Sequence, residues 1–228
     1  MALVLSLANA CGGATGSNSQ SSRTTATQSA AREGTAPAAV GDRATVSEVA
    51  TLLAGLPQHG KALGSPHAPV TVQFFGDLQC PYCRRFALEK LTMLIRRYVR
   101  TGKLKIEYLS LRTATHDPET FRIQQVAALA AGRQNKLWNF IELFYREQRE
   151  EDSGYVNEAF LDGLAQQVPG LGLVAWNAAR GDAQFTEEII RDARDARDAR
   201  LATTPSFLLS SSEHKSTDEA AIKQVLQD

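Results

Sequence analysis

Apolar residues first fall into step at TVSEVATLLAGL (45–56), where Val46, Val49, Leu52, Leu53 and Leu56 recur every three or four positions. That spacing predicts a helix with one buried face. The breaker GSPHAP then precedes VTVQFFGDL, in which Val70, Val72 and Phe74 alternate with Thr71, Gln73 and Phe75. A period of two predicts a strand, apolar throughout on one face and partly so on the other. From Cys80 the stretch CPYCRRFALEKLTMLIRRYVR returns to helical spacing, with Phe86, Leu91, Leu94, Ile95 and Tyr98 on one stripe and Gly102 closing it. In KLKIEYLSL, Leu104, Ile106 and Tyr108 alternate with charged residues, which predicts a second strand. Strand, helix and strand in so short a span make a βαβ unit, with Cys80 and Cys83 at its strand-to-helix turn.

Beyond this unit the pattern is helical: 119–132, 135–150, 156–167, a short segment near 171–180, and 183–202, with Gly154, Pro169-Gly170 and Gly181 as stops. The run RDARDARDAR (191–200) is three balanced triplets. Arg191 with Asp195 and Arg194 with Asp198 have the spacing of surface ion pairs worth roughly a few tenths of a kcal/mol each, so the run reads as a solvated face. TTPSFLLSS predicts a strand from Ser206 to Leu209, and Ser216 with Glu219 has the spacing of a capping box ahead of a last helix. The order is βαβ, helical block, β, α, which is an α/β fold.

Composition adds little and excludes some classes. At 228 residues, 43% hydrophobic and 22% charged, the chain supports one sizeable core. Lys plus Arg equals Asp plus Glu at 25 each, so nothing points to nucleic acid or another polyanion. No apolar run approaches the ~20 residues of a spanning helix. Three cysteines are too few for a disulfide scaffold or for two zinc clusters.

The opening MALVLSLANAC reads as the apolar core and small-residue cleavage site of an export signal, without a positive leading region, which places the true start upstream of Met1. Ending in Cys11, it also resembles a bacterial lipobox, whose cysteine carries lipid and becomes the mature N-terminus. The match is imperfect, because Leu7 stands four positions before Cys11 rather than three. Residues 12–44 are almost all Gly, Ala, Ser, Thr, Gln and Asn, too little apolar surface to offset chain entropy. As a coil, such a tether reaches roughly 30 Å.

Cys80-Pro81-Tyr82-Cys83 carries the chemistry. In the first turn of its helix, Cys80 meets unpaired N–H groups and the positive end of the helix dipole, both of which favour an anion. The thiolate is the reactive form of cysteine, and this setting lowers its pKa. Pro81 suits the first helical position, where no N–H is needed. Cys83 lies on nearly the same face and deeper, placed to close a disulfide with Cys80. The competing reading is half a zinc site, but His59, His67, His116 and His214 stand at no metal spacing. Buried, inert thiols are the other alternative. A C-x-x-C that follows a strand and opens a helix in an apparently exported chain favours redox exchange, with no metal and no cofactor.

Taken together, FGDLQCPYC, LWNFIELFYREQ, YVNEAFLDGLAQQVPG and TTPSFLL resemble the DsbA-like thiol–disulfide oxidoreductases, which have a thioredoxin-like fold with an inserted α-helical domain. The resemblance runs from about Leu56 to Leu209. It implies a domain over 45–228 with the insertion at about 114–200, Cys80 and Cys83 as the catalytic pair, and Pro205 as a cis-proline facing them. It further implies that Thr204 and Pro205, with Pro81 and Tyr82, meet an extended substrate, with Thr204 pairing as an added strand would. Cysteine-containing proteins are the implied substrates, and a membrane redox partner recycles the disulfide.

Two positions depart from the family. Where the family carries a buried Glu that helps move the deeper thiol's proton, this chain has Phe74, which predicts slower exchange near neutral pH. Thr203 stands where Gly is expected, two residues before the proline. Tyr82 replaces the histidine of the strongest oxidants and makes the dipeptide glutaredoxin-like, which predicts a milder oxidant, or an isomerase-like or reducing role. Two other functions compete: a polypeptide-binding module whose disulfide is only structural, and a glutathione-using kappa-type transferase relative, which does not depend on a paired C-x-x-C.

Overall fold

The computed structural model describes residues 42–211 and 217–227; Cys11, most of the 12–44 tether, His214 and the Ser216 cap lie outside them. Helix α1 (Arg43–Leu53) begins where Asp42 accepts a 2.7 Å hydrogen bond from the Thr45 N–H, and it buries Val49, Leu52 and Leu53. A small hairpin follows, β1 (Gln58–His59) and β2 (Ala62–Leu63), turning at Gly60 with φ 57°. Sequence pattern predicted no strand here, since two residues show no period. Strand β3 (Val70–Gly76) and strand β4 (Leu104–Ser110) pair in parallel from Val70 against Leu104 to Gly76 against Ser110.

Their crossover is helical from Pro81 to Val99, but not uniformly α. Helix α2 (Pro81–Phe86) passes into a wide-turn π segment (Ala87–Leu91), then a single turn, α3 (Thr92–Leu94), and a second π segment (Ile95–Val99). At the first of these the Thr92 hydroxyl donates to the carbonyl of Ala87, five residues back. Five further helices stand between β4 and the last strand's approach: α4 (Pro118–Gly132), α5 (Leu137–Arg146), α6 (Glu158–Gln167), α7 (Leu173–Ala179) and α8 (Ala183–Asp198). Helix α8 stops four residues short of expectation because Arg200 takes the left-handed conformation (φ 59°), letting the Leu201 N–H reach the Ala196 carbonyl at 2.8 Å. Strand β5 (Ser206–Ser211) returns antiparallel to β3, and α9 (Thr217–Gln227) ends the described chain. The sheet order is β1-β2-β4-β3-β5.

The register explains the layers. Val72, Phe74, Ile106, Tyr108, Phe207 and Leu209 occupy one face, which joins the main core. The opposite face is polar at one end, with Thr71, Gln73, Lys105 and Glu107. At the end where the cysteines follow it carries Phe75, Leu109 and Leu208, packed with Ala196 of α8. Within the RDARDARDAR run, neither Arg191 with Asp195 nor Arg194 with Asp198 forms an ion pair among the described residues. Asp192, read as part of the solvated face, is buried instead. It accepts hydrogen bonds at 2.8 Å from both Lys61 and the Ser110 N–H, tying α8 to the hairpin and to β4. No helix of the described residues is long and apolar enough to cross a membrane.

Candidate active site

At the end of β3 the chain turns through Asp77–Gln79 into α2. Cys80 is the N-cap rather than a member of the first turn: its backbone is extended (φ −68°, ψ 120°) and its sulfur accepts the Cys83 N–H at 3.3 Å. Pro81 opens the helix, where a missing N–H costs nothing. Both cysteines are free thiols; Cys80 is 3% exposed and Cys83 fully buried.

The two sulfurs are driven apart in acidity. Cys80 falls from 9.0 to about 6, chiefly because the Cys83 side chain hydrogen-bonds to it. Burial opposes this, while the Thr204 side chain and the Cys83 and Tyr82 backbone groups reinforce it. Cys83 moves well above its ordinary value, first through burial and then through the charge and hydrogen bond of Cys80. One sulfur is ionised and the other protonated at the same pH, which is the division a two-thiol exchange needs.

Across from the pair runs the segment before β5. The Thr204-Pro205 peptide is cis, and the Thr204 carbonyl accepts from the Cys80 sulfur at 3.3 Å. Thr204 is buried and Thr203 exposed. Tyr82, 60% exposed, stands on the rim beneath the Arg85 guanidinium, 5.3 Å from its ring centre. The structure therefore brings Cys80, Cys83, Thr204 and Pro205 together and leaves Pro81 and Tyr82 on the open side.

Sequence reading missed the residue that organises the loop. Asp77 is fully buried, and its carboxylate accepts six hydrogen bonds. One oxygen takes the Gln79 N–H (3.1 Å), the Thr115 hydroxyl (2.6 Å) and the Gln124 amide (3.2 Å). The other takes the N–H groups of Thr113 (3.0 Å), Ala114 (2.9 Å) and Thr115 (2.9 Å). Such a carboxylate is stabilised by oriented dipoles alone. The segment it pins carries Thr113, whose hydroxyl meets the Thr204 hydroxyl at 2.5 Å. An acidic residue between a strand and a cysteine was the available signal, but its donors lie 36–47 residues further along the chain, save Gln79.

The other clamps come from the helical block. Gln148 donates to the carbonyls of Leu78 (2.7 Å) and Cys80 (3.1 Å), and Arg84 donates to the Tyr145 carbonyl at 3.0 Å. Phe74 sits in an aromatic cluster with Phe86, Tyr108 and Phe207, ring centres 4.9, 5.5 and 5.7 Å away. Beside it are two buried phenols, Tyr108 and Tyr145, which burial holds protonated far above the usual tyrosine range. Among the described residues no three His, Cys, Asp or Glu stand together as a metal site.

Comparison with known proteins bears on the chain as a whole. The family described as Thioredoxin matches residues 58–228. A probable disulfide bond formation protein D of Bacillus anthracis is 22% identical over 153 residues, covering 67% of this chain and 70% of its own. The crystal structure of oxidised BdbD from Bacillus subtilis superposes with a TM-score of 0.61 at 20% identity, covering 76% of this chain and 98% of its own. Chlamydia trachomatis DsbA gives a TM-score of 0.57 at 16% identity over 75% and 93% of the two chains.

Proposed function

The chain belongs to the thioredoxin family, with the helical insertion of its DsbA-like members, and on that premise we propose that it exchanges disulfides with cysteine-containing proteins through Cys80 and Cys83. The observation that carries the reading is the placement of Cys80 at the N-cap of α2, with Cys83 buried behind it and the cis Thr204-Pro205 segment across from it, which sets the two sulfurs apart in acidity. With a pKa of about 6, Cys80 is about 90% thiolate at pH 7. A disulfide kept only for structure gains nothing from an ionised sulfur at the surface end of a helix, beside a cis-proline segment.

In the reducing direction the Cys80 thiolate attacks one sulfur of a substrate disulfide. That bond breaks, the other substrate sulfur leaves as thiolate, and a mixed disulfide remains on Cys80. Cys83 then loses its proton and attacks the Cys80 sulfur, forming Cys80–Cys83 and releasing the second substrate thiolate; two electrons have passed to the substrate. Oxidation is the reverse, with Cys80 as the leaving group, and a low pKa makes it a good one. Thr204 and Pro205 present backbone for an extended substrate to pair with, and Pro81 and Tyr82 flank it. This work belongs to residues 45–228, with the insertion at about 114–200. It takes place outside the cytoplasm, behind a 1–11 export segment that ends in a lipidated Cys11 and a 12–44 tether, with a membrane redox partner resetting the pair.

Insulin reduction and oxidative refolding of a reduced protein test the reading together. Activity in at least one, abolished by Cys80→Ser, is expected; activity that survives Cys80→Ser refutes it. Cys83→Ser is expected to accumulate mixed disulfides, whose partners name the substrates.

A further inference from the structure

Helix α2 divides by exposure. Cys83 and Phe86 turn into the core, while Pro81, Tyr82, Arg84 and Arg85 face solvent. The Arg85 guanidinium lies 5.3 Å from the centre of the exposed Tyr82 ring, a cation held against an aromatic face one residue from the Cys83 thiol and two from Cys80. Arg84 is fixed from the other end: its Nε donates to the Tyr145 carbonyl at 3.0 Å, and its terminal nitrogens have no partner among the described residues.

Neither guanidinium is paired with a carboxylate among the described residues, whose contacts for these two are the Tyr145 carbonyl and the Tyr82 ring. Glu89 stands four residues beyond Arg85, the spacing of a helical ion pair, yet forms none. The carboxylates near the site are engaged elsewhere. Asp77 is buried beneath six donors, Asp152 pairs with His116 at 2.6 Å, and Asp117 caps α4 through the Thr120 N–H (2.7 Å) and hydroxyl (2.6 Å). Exposed Glu150 and Glu151 share their loop with exposed Arg149. From Leu78 to Leu88 the chain carries two cations and no anion beside the cysteines, and both cations add to the positive end of the helix rather than offset it.

We propose that Arg84 and Arg85, with the Tyr82 ring, form a side-chain subsite for carboxylates, so that the preferred substrates are polypeptides with acidic residues close to the reacting cysteine. The reach is right: at about 1.5 Å of rise per residue, Arg85 stands about 7 Å along the helix from Cys80, roughly two residues of an extended chain. The arginines also set the sign of the preference. An ionised Cys80 by itself attracts a cationic substrate and repels an acidic one, so a preference for acid has to come from the guanidiniums. The inference rests on the disulfide-exchange reading above.

The experiment uses the reduced full chain with Cys11→Ser and three short peptide disulfides, in which the cysteine is flanked by glutamate, by serine or by lysine. The Cys80 thiolate attacks the peptide disulfide and one peptide leaves as thiolate; Cys83 displaces the second, so that Cys80–Cys83 forms as the peptide disulfide is reduced. Peptide thiol is followed by acid quench and chromatography. At low salt the glutamate peptide is expected to react roughly 3- to 10-fold faster than the lysine peptide, with high salt narrowing the ratio toward one. Arg84→Gln with Arg85→Gln is expected to bring the ratio to one or below, and Arg84→Lys with Arg85→Lys to keep it above one. A parent ratio of one or below overturns the proposal, and so does a glutamate preference that survives the double glutamine substitution. A serine peptide that the parent does not reduce instead refutes disulfide exchange itself.

Discussion

Replacing Cys83 by alanine isolates the largest cause of Cys80's acidity. The Cys83 side chain is the chief contributor to the fall from 9.0 to about 6, ahead of Thr204 and the backbone N–H groups. A full fall of that size corresponds to about 4 kcal/mol in favour of the thiolate. A hydrogen bond to a charged group contributes about 1.5–3 kcal/mol, so its loss returns Cys80 by about one to two pH units, to a midpoint of about 7–8. Cys83→Ser keeps a donor and is expected to titrate near the parent. The assay is thiolate absorbance against pH, with iodoacetamide labelling as a second readout, in Cys11→Ser protein. The parent's Cys83 stays protonated throughout the window, since burial raises it, and adds no second step. The linkage has a definite sign. A thiol whose folded pKa lies below its unfolded one stabilises the reduced fold above the unfolded value, and this stabilisation is lost as pH falls through the folded one. With about 6 folded and about 9 unfolded, the reduced parent gains about 1.4 kcal/mol at pH 7 over its value at low pH, and more by pH 9. Cys83→Ala moves the start of that gain upward with the titration. A Cys83→Ala midpoint still at about 6 refutes the assignment and leaves the helix terminus and Thr204 as sufficient causes.

Three further outcomes follow from the geometry. A Cys80 pKa of about 6 lies between those of thioredoxin (about 7) and DsbA (about 3.5), so equilibration in glutathione buffers should place the pair at about −190 to −250 mV; a value near −120 mV contradicts it. Asp77→Asn turns an amide N–H₂ toward oriented donors and should cost about 3 kcal/mol in urea unfolding; a variant as stable as the parent refutes its organising role. Lys61→Ala leaves Asp192 buried without its cation and should cost about 3 kcal/mol with the Cys80 midpoint unmoved; a loss below about 0.5 kcal/mol shows that Ser110 alone suffices for Asp192.

The parts of the fold legible in the sequence were those governed by local period. VTVQFFG and LKIEYLS alternate because one sheet face is buried along its whole length, and the block beyond residue 117 repeats at helical spacing because each helix buries one stripe. The hairpin at 58–63 escaped because its two-residue strands contain no period, only a pairing with each other and with β4. The π segments within 87–99 escaped for a related reason: a slightly wider turn leaves the apolar stripe intact. Composition was actively misleading at Asp192, where three identical triplets look equally solvated. Only the contact with Lys61 and the Ser110 N–H, 131 and 82 residues away, sets one of them apart.

The same distinction runs through the site. Cys80 and Cys83 are visible because their chemistry depends on a four-residue spacing and on the helix that begins between them, and both are local. What surrounds the pair is not local. Asp77 fixes 113–115, Thr113 meets Thr204 across 91 residues, and Thr204 faces Cys80 across 124. Each of these residues is an ordinary polar side chain in the sequence, with no motif to mark it. The expectation about Phe74 shows the consequence. Seen alone, it is a missing acid; in place, it is one ring of a packed aromatic cluster, and Phe74→Glu would bury an unpaired carboxylate among Phe86, Tyr108 and Phe207.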